Sequence, residues 1–246
     1  GMAGRAVLPA PRASASGAAC GQPSTPTIKE GIMKSSTLSL TALTAGLACV
    51  FASHTPAHAS TVSPEEMAAE WNFHGIGTSA AQNRMFYMEE GEDSKGVVLV
   101  SPDSYAGDLT LRYEIMPMSA ASVCVVILHA TDAGDATSLT LPDGYEGSMG
   151  HWINNVDNYF FAFHNAAHDR TPFAVKFPSG DSIGEFGLNV MRNGEFHTVE
   201  VTRRGGDLSF AVNGKVLFEG SDPEPLDSGH IAFRIRGISQ QPASCL

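Results

Sequence analysis

The sequence predicts an all-β fold: two antiparallel sheets packed face to face as a jelly-roll sandwich. Three observations carry that reading. Two-residue alternation of apolar and polar side chains dominates the C-terminal half. Turn residues punctuate the apolar rows at short intervals. Helix signals are almost absent.

The alternation is cleanest before Pro117. Leu109, Leu111, Tyr113 and Ile115 form one row, and Thr110, Arg112, Glu114 and Met116 form the other. A period of two with one long apolar row is a half-buried strand, and Pro117 ends it because it cannot donate to a ladder. Val123 to Leu128 is apolar throughout, as suits a strand covered on both faces. Residues 134–157 are rich in Gly, Asp and Asn and read as a long connection, of the length that commonly carries function. Strands are expected again at 159–165 and 173–177, then at 195–202, 208–212, 215–218 and 229–236. Arg204-Gly-Gly-Asp207 makes one turn in that last series. Asn213-Gly214 makes another, a strong hairpin signal because both positions must take φ > 0. The only helix candidate is Pro64–Glu70, with Ser63 as N-cap and proline at the first helical position.

The N-terminal quarter reads differently. Gly1 ahead of Met2 resembles a remnant of tag removal, and residues 2–32 lack any apolar period, so they are expected to be a disordered upstream extension. Residues 33–59 carry the pattern of a secretory signal: Lys34, an apolar stretch from Leu38 to Ala52, Pro56, and Ala57-His-Ala59 before a cut at Ser60. The remaining 60–246 is expected to be one domain, secreted or periplasmic, without membrane insertion after cleavage. It holds 11 Lys and Arg against 25 Asp and Glu, net −14 with histidine neutral. That balance disfavours nucleic acid and anionic membrane surfaces and suits a neutral ligand. Of its two cysteines, Cys124 sits in the apolar run and reads as a small core residue. A disulfide with Cys245 is the alternative in an oxidising compartment. No C-x-x-C pair or P-loop occurs. His164 and His168 are four apart, and Gly180-Asp-Ser-Ile-Gly184 has the spacing of G-x-S-x-G, but neither falls in a segment with helix signals. The loop aspartates Asp132, Asp135 and Asp143 read as turn formers, with calcium binding through their oxygens as the alternative. Neither a metal nor a cofactor is expected.

The order of these pieces resembles the concanavalin A-like lectin/glucanase superfamily. The residues that carry it are the strand Asp108–Pro117, the hairpin Phe210–Phe218 and the closing strand Gly229–Gly237. Within that superfamily the chain is similar to the YesU-like family of unassigned function. This finer likeness runs from Asp157-Asn-Tyr159 through Phe163 and Asn165 to Arg170-Thr171, then Lys176 and Pro178-Ser-Gly180. The resemblance implies a concave sheet able to hold a saccharide and an association with plant cell-wall polysaccharide. The E-x-D-x-x-E strand of glucanase relatives is missing, which weighs against a retaining mechanism with two carboxylates about 5–5.5 Å apart.

Candidate site residues follow from the polar rows. If those rows meet on one concave sheet, Glu114, His129, His164, Arg234 and Arg236 converge. Glu114, His164 and His129 are then the candidate acid–base groups. Arg234 and Arg236 offer planar forks for an acidic sugar. Trp152 offers a stacking face, and Tyr159, Asn165 and Arg170 belong to the segment with the finer resemblance. Competing readings stay open: a Glu–Arg pair on a solvated face, and a Trp152 that simply pins its loop to the core. The expected function is carbohydrate binding or degradation, by hydrolysis or lysis. A noncatalytic glycan-binding module and an envelope interaction protein are the alternatives.

Overall fold

The computed structural model describes residues 60–119, 121–165, 172–185, 189–237 and 244–245. The expected leader and upstream extension, the side chain of Asn165 and all of Arg170 lie outside the described residues. In chain order the elements are α1 (Pro64–Glu70), β1 (Asn72–Gly75), β2 (Gly77–Gln82), β3 (Met85–Glu90), β4 (Val97–Ala106), β5 (Leu109–Ile115) and β6 (Ser122–Asp132). They continue with α2 (Met149–Asn155), β7 (Val156–Asn165), β8 (Phe173–Phe177), β9 (Asp181–Glu185), β10 (His197–Arg204) and β11 (Asp207–Val212). Last come β12 (Lys215–Ser221), β13 (Ser228–Gly237) and β14 (Ser244–Cys245).

The fold is the predicted antiparallel jelly roll. A large sheet runs β1-β4-β13-β6-β7-β8-β9, a smaller one runs β12-β11-β10-β5, and β14-β3-β2 form a third sheet. The two main sheets close on a core that includes Leu99, Val126, Leu128, Phe161, Val199, Val201 and Phe210. The expected hairpin forms at Asn213 (φ 51°) and Gly214 (φ 76°), which place Val212 opposite Lys215. The expected helix forms too. Ser63 Oγ accepts from the Glu66 N–H, Glu66 Oε2 accepts from the Ser63 N–H, and proline starts the helix. Such a box satisfies two donors that a helix start leaves orphaned.

Strand β6 is buried on both sides, as its apolar run predicts. Its outer side meets a second apolar layer in which Val98, Val100, Val125, Ile127 and Phe160 pack under Tyr145, Trp152, Leu139 and Leu141. Most of the expected connection at 134–157 is therefore a cap on the large sheet, spanning 133–155 and containing α2. Cys124 is fully buried in the inter-sheet core and is also disulfide-bonded, so the reading of it as a plain hydrophobe was incomplete.

Two bulges redirect histidines that simple alternation assigns to the outer face. At the first, Cys124 pairs with His164 and Val125 pairs with Ala162, leaving Phe163 as the extra residue. A bulge of this kind turns the following side chain to the opposite face, so His164 joins Cys124 on the core side. The second lies between Leu128 and Thr131, where His129 takes φ 53°. His129 there turns inward against Tyr159, and Ala130 takes the outer position.

Candidate functional site

A cleft opens at the edge of the sandwich where β5 ends the smaller sheet. Alternation along β5 sends Tyr113 inward and leaves Arg112 and Glu114 exposed at the rim. The cleft encloses about 370 Å³ and reaches Leu99, Phe233 and Ile235 of the large sheet. Met67 of α1 and Met85, Phe86 and Met88 of β3 wall it, and Arg84 and the exposed Phe196 stand at its mouth. The Tyr113 ring sits edge-on to Phe163 and Phe233, at centroid distances of 6.5 and 4.8 Å. Its hydroxyl is buried with no hydrogen-bond partner among the described residues, and burial holds its pKa well above the ordinary value.

A second opening lies at the end of the cap. Asp132, Thr140, His151, Asn154 and Asn155 surround an open crevice of about 480 Å³. Here the sequence supplies short polar side chains on α2 and on the end of β6. Asp132 Oδ1 accepts the Thr140 N–H at 2.9 Å, and His151 Nε2 lies 2.9 Å from the Thr140 carbonyl. Since that carbonyl only accepts, the His151 ring donates through Nε2. The Asn154 amide donates to the Gly150 carbonyl at 2.7 Å, leaving its oxygen directed elsewhere.

The expected convergence forms only in part: Glu114 and Arg234 both line the cleft, whereas neither His129 nor His164 does. Glu114 is at the cleft rim, on the outer face of the smaller sheet opposite Thr198. His129 is fully buried between the sheets, with neither ring nitrogen hydrogen-bonded. Burial, then the charge of Arg203, lowers its pKa to about 4. His164 is buried toward the opposite end of β6. Its Nδ1 donates to Asn189 Oδ1 at 3.3 Å, and burial lowers its pKa. Neither histidine lines either opening.

The expected sugar contacts are mostly structural supports. Trp152 is fully buried; its indole N–H donates to the Tyr145 hydroxyl at 2.8 Å, and that hydroxyl donates to the Ser148 carbonyl. The tryptophan thus pins the cap to the sheet, the alternative the sequence left open. Tyr159 is equally buried, and its hydroxyl donates to Asp222 Oδ2 at 2.8 Å while accepting the Leu226 N–H at 2.9 Å. Asp222 also pairs with Lys176 at 2.8 Å. Burial alone raises the Asp222 carboxyl, but the bonds from Lys176, Tyr159 and the Glu224 N–H outweigh it and hold its pKa below the ordinary value.

Arg234 is a buried clamp, and its Nη2 donates to the Lys95 carbonyl at 2.7 Å and the Gly147 carbonyl at 3.1 Å. It ties together two loops whose glycines touch: a Cβ on Gly147 would lie 1.7 Å from the Gly96 oxygen. Arg236 is half-buried on β13 opposite Val123, with its Nε unpartnered among the described residues. Asn165 closes β7 opposite Val123. Sequence reasoning missed Arg84 and Phe196, for which only the Asn83-Arg84 turn offered a signal. His151, Asn154 and Asn155 fall within residues 134–157, which the sequence marks as a long connection.

This architecture is a two-sheet antiparallel jelly roll, and solved structures share that fold. The chain is similar to a Bacillus subtilis protein of unknown function with a galectin-like fold. That likeness has a TM-score of 0.61 and 16% identity over 72% of this chain and 86% of that one. It is similar to the metal-free carbohydrate recognition domain of Emp46p, at TM-score 0.53, 10% identity, and 72% and 85% coverage. A prokaryotic β-1,3-1,4-glucanase (lichenase) derived from a mouse hindgut metagenome gives TM-score 0.50, 12% identity, and 76% and 92% coverage. At these identities the likeness is one of fold. No family model matches the chain, and no curated protein matches it in sequence.

Proposed function

We propose that this is an exported carbohydrate-binding jelly roll of the YesU-like kind, cut from its leader before Ser60 and acting on plant-type polysaccharide. The observation that carries the reading is the crevice at α2. His151, Asn154, Asn155, Asp132 and Thr140 offer donors and acceptors within one open depression, as a ring of hydroxyl groups requires. The fold adds a prior, since its neighbours include a carbohydrate recognition domain and a glucanase.

Binding is favoured over hydrolysis. Each opening has a single carboxylate among its described lining residues, Glu114 in the cleft and Asp132 in the crevice. Glycoside hydrolysis ordinarily needs two carboxylates flanking the bond. Titration with pectic and hemicellulosic oligosaccharides tests the reading. Retention of one glycan class, weakened at least tenfold by Asn155→Ala with His151→Ala and without release of reducing ends, is expected. Failure to retain any glycan sinks it. Release of new chain ends would replace it with the enzyme reading.

A further inference from the structure

We propose that the inter-sheet cleft is a separate binding site for a small amphiphilic anion, an apolar body of about ten heavy atoms with a carboxylate head. The space, the lining and the charge each point to that chemistry. A water molecule's share of liquid volume is about 30 Å³. The cleft, at about 370 Å³, therefore holds on the order of twelve water-sized units, matching a medium-length alkyl chain. Met67, Met85, Met88, Phe86, Leu99 and Phe233 line it. Water gains few hydrogen bonds against such walls, whereas methylenes gain contact with soft, adaptable methionines.

The mouth selects the head group. Arg84 and Arg112 stand there exposed, and no ion pair involves either of them among the described residues. Glu114 is the one acidic residue among the described lining. The rim therefore carries net positive charge in a domain whose net charge is −14. Guanidinium groups recognise carboxylates by bidentate hydrogen bonds. The Tyr113 hydroxyl is a further polar atom of this wall left unmatched by the fold, and such an orphan calls for a partner that is not yet in place. This site is independent of the sugar crevice, because the two share no lining residue.

Calorimetric titration of the folded domain with hexanoate, octanoate and decanoate, below their micelle concentrations, tests the proposal. Affinity should rise roughly fourfold per added methylene and level off once the chain fills the cleft. Decyltrimethylammonium should bind at least tenfold more weakly than decanoate. Arg84→Ser with Arg112→Ser should remove that preference and leave decanol binding unchanged. Phosphatidylglycerol vesicles form a second arm. Pull-down with vesicles, reversed by decanoate, assigns a lipid acyl chain, and binding of decanoate alone assigns a free amphiphile. Absence of both overturns the site, as does affinity that ignores chain length or head charge. A concentration-dependent dimer that blocks decanoate would also overturn it, by showing the cleft to be filled by a second copy. Should either arginine variant fold poorly, Met85→Trp, which fills the cleft from β3, must abolish decanoate binding while glycan retention persists.

Discussion

Acidification from pH 8 to pH 5 should destabilise this fold most strongly through His129, with His164 and His74 acting in the same direction. The His129 ring is fully buried without hydrogen-bond partners, packed against Tyr159 and facing Arg203 and Asp227, and its pKa is lowered to about 4. In the unfolded chain the same ring takes up a proton near 6.5. The unfolded state therefore binds more protons throughout the interval between about 4 and about 6.5. Stability is greatest above that interval, falls as the pH drops through it, and takes no further loss from this ring below it. The full difference corresponds to about 3 kcal/mol, of which about 2 kcal/mol is lost by pH 5.

His129→Asn is the informative variant. Asparagine tolerates the left-handed φ of 53° and carries no titrating group in this range. Its smaller side chain leaves a small void that lowers stability equally at every pH, so the quantity read is the slope. Urea unfolding at pH 8, 7, 6 and 5 should show the parent losing about 2 kcal/mol more than the variant. Parallel pH profiles for the two proteins would refute the reasoning.

Three further outcomes follow from the packing. Trp152→Ala removes a fully buried ring and the indole bond to Tyr145; thermal melts should report a loss of about 3–5 kcal/mol, with hydrogen exchange accelerating across 133–155. A loss under about 1 kcal/mol would contradict its role as the pin. Arg234→Met strips the Lys95 and Gly147 carbonyls of their shared donor and should cost about 3 kcal/mol in urea titration. Asp222→Asn weakens the Lys176 pair and should cost about 1–3 kcal/mol at neutral pH. Because the Asp222 pKa is depressed, that contribution exists above about 3.9 and fades as the pH falls through the folded-state value. Parent and variant stabilities should therefore converge in strong acid.

Much of the sandwich was legible because one face of a strand must stay dry. The row from Leu109 to Ile115, the hairpin at Asn213-Gly214 and the cap of α1 are local signals, and each appears where expected. The candidate site was not legible, for a different reason. Alternation assigns faces only while the register holds, and the bulges at Phe163 and at His129 each reverse the face of a histidine. Those bulges depend on the partner strand, which periodicity in one segment does not reveal. Strands β1 to β4 escaped the reading. In β2, Gly77-Thr-Ser-Ala-Ala-Gln82 lacks any large apolar residue. The cap was legible in composition but not in position: Trp152 signalled importance, and only the packing distinguishes an anchor from a platform.

The segment 133–155 lies over the outer side of the large sheet, against Val98, Val100, Val125, Ile127 and Phe160. Any molecule approaching the middle of the broad sheet from that side meets α2 and its flanking turns first. That side of the sheet is therefore covered by a short stretch of chain held by one indole and one guanidinium, while the strands beneath serve as a foundation. Exchanging that stretch, with its two anchors retained, would alter the outer surface of the large sheet while leaving the inter-sheet core untouched.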